Sequence, residues 1–260
     1  AGPDDRGDAA GVSQQAASTE SRGPLDGRVV LLTGAHGGLG AAAAHACARA
    51  GATVVLLGRR VPKLNRVYDA IARDPAGLPE PLNYPFDLAG ADYGDHLELA
   101  GRIRAQLGRL DGLLHCAAEF PGLTPLEHTD PGNFARALHV DLTARWWLTQ
   151  ACLPLLREAA DAAVVFVVDD AAPAAYRGGY GIAQHGQRAL LDTLQAEHAG
   201  GTVRFHGLRP GPMRTPLRAR AHVSDEDRCA RDPAFAAQAC VTLLSAEGAA
   251  HRGQVWSPTP

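Results

Sequence analysis

The feature that most constrains this chain is the stretch Val29–Gly40, VVLLTGAHGGLG. A short apolar run, Val29 to Leu32, meets a cluster of glycines and then the alanine-rich segment Ala41–Arg49. That order reads as a buried strand, a tight turn and a helix starting at the turn. Glycine suits such a turn for three reasons. It permits a sharp reversal, it lets backbone approach a pyrophosphate, and it allows helix and strand to pack closely. The free N–H groups and dipole of the helix N-terminus then favour an anion. Glycine loops also end ordinary strands, so the pattern needs its context, and a second apolar strand at Thr53–Leu57 supplies it.

Strand and helix patterns alternate along the rest of the chain. The first strand spans Arg28–Thr33 and its helix Gly38–Arg49, followed by the Thr53–Leu57 strand and a helix over Lys63–Arg73 that starts at Pro62. Strands follow at Leu82–Phe86, Gly112–Cys116, Ala163–Val168, Val203–Leu208 and Gln254–Trp256. Between them lie helices at Asp92–Leu107, at Pro131–Glu158 with a bend expected near Pro154, from about Tyr176 to Ala199, and to Leu244. Asp130-Pro131 and Asp232-Pro233 are cap and first-turn pairs. Such alternation calls for an α/β fold with a doubly wound parallel sheet, right-handed crossovers and helices on both faces. Ligands of such sheets bind beyond the carboxyl ends of the strands, at the switch point. Residues 1–24 lack hydrophobic periodicity and read as a disordered tail ahead of one domain, 25–260.

Composition narrows the function. A net charge of −3 argues against a nucleic-acid or membrane-surface partner, and no apolar run reaches membrane-spanning length. The five cysteines (Cys47, Cys116, Cys152, Cys229, Cys240) are scattered, which fits buried thiols in a reducing, cytoplasmic setting. The eleven histidines form no HExxH or HxH cluster, so no metal is expected. Of 25 basic residues only Lys63 is lysine, which becomes important below.

These motifs, in this order, make the chain resemble the short-chain dehydrogenase/reductase family over about Leu25–Trp256. LLGRR, LDGLLH and LTQACLPLL are similar to a YciK-type bacterial branch. Thr33–Gly40 matches the family's TGxxxGxG loop, and the resemblance assigns Gly34, His36, Gly38, Leu39 and Gly40 to the cofactor. Asp87-Leu88 matches a pair that contacts adenine, and Leu114–Ala118, with Cys116 and Ala117, stands at the NNAG-like segment. Pro210–Thr215 matches the PGxxxT loop beside the nicotinamide, bringing Pro210, Gly211, Met213 and Thr215 to it. The resemblance implies a single Rossmann-type sheet of about seven strands, ordered 3-2-1-4-5-6-7. It also implies a homodimer or homotetramer formed through the two long helices. Trp146-Trp147 suits that interface, or equally the core.

Charge bears on the cofactor. A carboxylate after the second strand would hold the ribose 2′-hydroxyl of NAD, whereas arginine accommodates a 2′-phosphate. Gly58-Arg59-Arg60 has no acid there, which favours NADP(H) over NAD(H), with Arg59 as a ligand. Two solvated surface arginines are the bland alternative.

In the resembled family, hydride transfer between nicotinamide and a carbonyl or alcohol is coupled to proton transfer by a tyrosine. A lysine cation lowers the phenol's pKa from about 10, a serine holds the substrate oxygen and an asparagine supports a water chain. Tyr180 stands at the tyrosine position. Gln184 replaces the lysine; it retains the capacity to bond ribose but carries no charge. Asp141 stands at the asparagine position, and Val168 or Asp169 at the serine. Asp169 and Asp141, if close and ionised, would push the phenol upward, although Asp169 is also open to roles as substrate anchor or base. Arg188, two helical turns from Tyr180, is a remote candidate for the missing charge, and Lys63 belongs to the adenosine end. The expectation is an NADP(H)-binding, nominally oxidoreductase pocket for a small carbonyl or alcohol, with a compromised proton-transfer site. The alternative is a catalytically silent NADP(H)-binding regulator or structural subunit.

Overall fold

The apolar run Val29–Thr33 forms β1, fully buried at the centre of the sheet, because parallel neighbours flank it and helices cover both faces. A computed structural model describes residues 23–169, 175–221 and 230–259. In chain order the elements are β1, α1 (Gly38–Arg49), β2 (Thr53–Gly58), α2 (Val61–Ala72), β3 (Leu82–Pro85), α3 (Tyr93–Leu107) and β4 (Gly112–His115). There follow α4 (Pro131–Leu138), α5 (Ala144–Leu156), β5 (Ala162–Val167), α6 (Gly178–Glu197), β6 (Val203–Leu208), α7 (Pro233–Leu244) and β7 (Val255–Trp256). Among the described residues seven strands, all parallel, lie in the order β3-β2-β1-β4-β5-β6-β7, as expected.

Alternation along β1 divides the core between the two faces. Val30 and Leu32 pack with α1 and α7, while Val29 and Leu31 join α3, α5 and Phe166. On the first face α1 packs against α7, and both bury small side chains there, among them Ala43, Ala44, Ala48, Ala236 and Ala237, all nearly inaccessible to solvent. Each fully buried valine or leucine contributes roughly 1.5–3 kcal/mol relative to exposure. The order reverses between β1 and β4, so their carboxyl ends splay apart and leave a crevice there.

Two expectations need correction. The predicted helix Pro131–Glu158 is interrupted, not at Pro154, which lies inside α5, but by a π-turn at His139–Thr143. That turn buries Asp141, and single π-turns within α-helices recur at functional sites. The helix expected from Tyr176 starts at Gly178, because Tyr176 (φ 65°) and Gly178 (φ 52°) both adopt the left-handed region on entry. Residues 1–22 of the predicted tail lie outside the described residues, but Gly23 packs so tightly on Ala50 that a Cβ would sit 2.2 Å from its carbonyl oxygen.

The Asp130 and Asp232 caps form as anticipated, accepting from the Asn133 and Ala234 N–H groups at 2.8 Å. Trp146 is exposed, whereas the Trp147 ring packs on Tyr93, His96 and His139. Among the described residues no helix is long and apolar enough to cross a membrane.

Candidate active site

A cleft of about 560 Å³ opens beyond the carboxyl ends of β1, β2, β4 and β5. Its volume is that of a small-molecule site. The glycine turn forms its wall. Gly34 adopts φ 61° and approaches the β4 loop so closely that a Cβ would lie 2.7 Å from the Ala117 Cα. Thr33, buried between the two loops, accepts from the Cys116 and Ala117 N–H groups at 3.1 Å each, which fixes that approach. A Cβ on Gly40 would sit 2.2 Å from the Gly34 oxygen, so this glycine serves helix–strand packing. At Gly38 a Cβ would meet the Thr215 methyl at 2.6 Å, which brings the Pro210–Thr215 loop against the start of α1. No side chain caps α1 at Gly37, so its first turn faces the cleft as an anion site.

Every residue assigned above to the cofactor borders this one cleft, from Gly34, His36, Leu39 and Gly40 to Asp87, Leu88, Pro210, Gly211 and Met213. One end is basic: Arg59, Arg60 and Lys63 line it beside His36. The His36 imidazole lies against Gly58, and burial, followed by Lys63, Arg60 and Arg59, lowers its pKa below the usual histidine value. Arg59 also reaches across to Glu119, at 3.6 Å. No acid follows β2, so a 2′-phosphate would enter a field of three cations, while a NAD ribose would find no carboxylate on that loop.

The opposite end carries Tyr180, from the first turns of α6, only 6% exposed and stacked obliquely on Phe120 at 5.0 Å. Its hydroxyl donates to Asp169 Oδ2 at 3.2 Å. Arg177 pairs with the same carboxylate oxygen at 2.5 Å. Gln184, nearly inaccessible one turn on, accepts the Asp169 N–H at 2.9 Å through Oε1 and so braces the strand end against α6. Burial chiefly, then the Asp169 and Asp141 charges, push the Tyr180 phenol far above its ordinary value, and Arg145 pulls the other way.

Asp141 is not among the residues that border the cleft, yet its charge acts on Tyr180. It is fully buried, Oδ1 accepting the Glu119 N–H at 2.8 Å while Oδ2 has no partner. Burial raises its carboxyl to about 7, although the Arg145 charge opposes the rise. Arg188 is no source of charge for Tyr180, for it lies on the exposed side of α6 and pairs with Asp192 at 3.1 Å. Arg218 and Arg220 border the cleft, and Arg220 donates to the Phe120 carbonyl at 2.6 Å. Residues 222–229 lie outside the described residues.

Sequence reasoning missed Arg145, Arg177, Glu119 and Phe120. Arg145 had a signal. It occupies a stripe with Leu148, Thr149 and Cys152, spaced like one buried helix face, where a guanidinium is out of place. Glu119 and Phe120 sit in an irregular loop with no pattern to mark them.

Comparison with known proteins agrees with this geometry. The family model for short chain dehydrogenases matches residues 28–226. The oxidoreductase YciK of Escherichia coli K12 is 29% identical over 91% of this chain and 93% of its own. Among solved structures, a short chain dehydrogenase of Pseudomonas syringae is 37% identical with a TM-score of 0.85, covering 91% of this chain and 96% of that one. Another, from Escherichia coli CFT073 and complexed with NADPH, is 30% identical with a TM-score of 0.86, covering 92% of this chain and 100% of that one.

Proposed function

The chain belongs to the short-chain dehydrogenase family, and on that premise we propose that it binds NADP(H) along this cleft and reduces a small carbonyl compound, slowly. One observation carries the reading: the basic cluster of Arg59, Arg60 and Lys63 and the buried Tyr180 occupy opposite ends of a single cleft. The glycine wall fits a dinucleotide, since the Gly34 turn and the uncapped start of α1 present backbone N–H groups to a pyrophosphate. The NADPH-bound relative from Escherichia coli supports the phosphorylated form of the cofactor.

Bound NADPH supplies a hydride. This chain supplies the proton and the positioning. Tyr180 stays a neutral phenol at ordinary pH, because burial and two carboxylates oppose its ionisation. A neutral phenol donates a hydrogen bond to a carbonyl oxygen and can pass its proton to the alkoxide that forms on reduction. Oxidation of an alcohol needs the phenolate instead, and each pKa unit above the working pH costs about 1.4 kcal/mol. The neutral phenol is therefore the form that serves carbonyl reduction. Its slowness follows from Asp169, which competes with the substrate for the Tyr180 hydroxyl, and from Gln184, which brings no charge.

A second reading has a specific observation behind it. With Tyr180 already bonded to Asp169, the same pocket suits an NADP(H)-binding protein without turnover. Both readings require the cofactor, and calorimetric titration with NADPH and NADH tests that requirement. NADPH should bind at least about tenfold tighter, the worth of one charge-assisted hydrogen bond, and Arg59→Ala should narrow the gap. Equal affinities, or no binding of either nucleotide, would overturn both.

A further inference from the structure

Arg145 belongs to none of the motifs that mark the site, yet it is among the most buried side chains of the protein, 1% exposed, and borders the cleft. Its guanidinium is held from three directions. It donates to the Val167 carbonyl at the end of β5 at 3.0 Å, to the Ala117 carbonyl after β4 at 2.5 Å, and to the Gln187 side chain on α6. All three acceptors are neutral, and Nε has no partner. A cation so placed is costly to bury, and the carboxylate whose charge acts on it most, Asp141, is itself fully buried. The field of Arg145 is felt by the acids around the cleft floor: it draws Tyr180, Cys116 and Asp141 downward against their burial.

We propose that Arg145 is the fixed positive charge of the reaction pocket, a positioning residue that supports the negative charge left on Tyr180 when its proton moves. Gln184 cannot provide that charge from α6; Arg145 provides it from α5, across the β4 and β5 ends. The fork also explains why the cation stays in place. Three acceptors on three elements hold a planar guanidinium in one orientation, where a flexible ammonium would wander. The proposal rests on the reading of Tyr180 as proton donor, but its electrostatic content is testable without cofactor or substrate.

Cys116 is the reporter. Residue Cys116 borders the same cleft while its side chain packs on the core of α1 and α7, and burial raises the thiol to about 12, with Arg145 opposing. Alkylation by iodoacetamide proceeds through the thiolate, and peptide-resolved mass spectrometry reads Cys116 alone in the full chain. At one fixed mildly alkaline pH, Arg145→Gln should slow Cys116 alkylation by about three- to tenfold, the change expected for half to one pKa unit. Arg145→Lys, which keeps the charge, should stay within about twofold of the parent. A clamp without an electrostatic role gives the opposite sign, because loosening the fold exposes the thiol and speeds the reaction. An unchanged or faster rate in Arg145→Gln therefore overturns the proposal.

Turnover supplies the second arm. With NADPH and a reactive carbonyl, Arg145→Gln should lower kcat more than it raises KM, and Gln184→Lys should raise the turnover of Arg145→Gln by a larger factor than that of the parent. Loss of kcat and KM together without this rescue counts against the proposal. A parent protein with no turnover refutes the reductase reading, while the alkylation rates still decide whether the pocket holds the charge.

Discussion

Asp141 sits wholly inside the π-turn, with Oδ1 bonded to the Glu119 N–H and Oδ2 unpartnered, so asparagine can keep the one bond while removing the charge. The magnitude follows from linkage. Below its ordinary value of 3.8 the carboxyl holds its proton in both folded and unfolded chains; above it the unfolded chain ionises first, and the folded one only at about 7. The folded state thus binds the extra proton through this window, and the residue's contribution to stability falls as pH rises. This is the reverse of a salt-bridged aspartate. Between pH 5 and the folded value near 7 the penalty grows by about 1.4 kcal/mol per unit, or about 2.7 kcal/mol. Urea denaturation of the parent and Asp141→Asn at about pH 5 and pH 8 reads it, since every other titration cancels in the difference. The variant should gain on the parent by about 2–3 kcal/mol between the two pH values. A difference independent of pH, or a variant that loses ground at alkaline pH, would refute the reading that burial outweighs Arg145 and the Glu119 N–H at this carboxylate.

Three further outcomes follow from the same geometry. Asp169→Ser removes the acceptor that engages Tyr180 and should raise NADPH-dependent turnover by roughly tenfold, within the range of general acid catalysis; a fall would make Asp169 a working part of the site. Gly40→Ala places a methyl 2.2 Å from the Gly34 oxygen. It should cost about 1–3 kcal/mol in denaturant unfolding and weaken NADPH binding, and a variant as stable as the parent would show that the turn can move aside. Arg188→Ala, which breaks only an exposed pair with Asp192, should leave stability within about 0.5 kcal/mol and NADPH turnover unaltered, and a loss of turnover would restore Arg188 as the charge for Tyr180.

Much of the architecture was legible because it is written locally. The apolar run into β1, the glycines after it and the alanines of α1 are neighbours in sequence, and their periods and turn chemistry declare strand, loop and helix. The same holds for the Asp130 and Asp232 caps, whose partners lie two or three residues away. The identity of the residue on Tyr180 was less accessible. Val168 and Asp169 were both candidates, and only the folded chain brings the Asp169 carboxylate to the Tyr180 hydroxyl. The π-turn was invisible because no proline or glycine marks it; a buried aspartate does. Arg145 acts on Ala117, Val167 and Gln187, from segments brought together only when the sheet closes, and a helical pattern shows at most that an arginine stands on an apolar face. Arg59 and Glu119 likewise meet across the cleft from separate loops.

The most direct measurement is loss of NADPH absorbance with a panel of reactive carbonyls, comparing the parent protein with Tyr180→Phe at equal cofactor occupancy. The account predicts slow consumption by the parent that drops by about a hundredfold or more when the phenol is gone. Consumption unchanged by Tyr180→Phe would contradict the assignment of the proton donor, and no consumption by the parent despite tight NADPH binding would contradict the reductase and leave the binder.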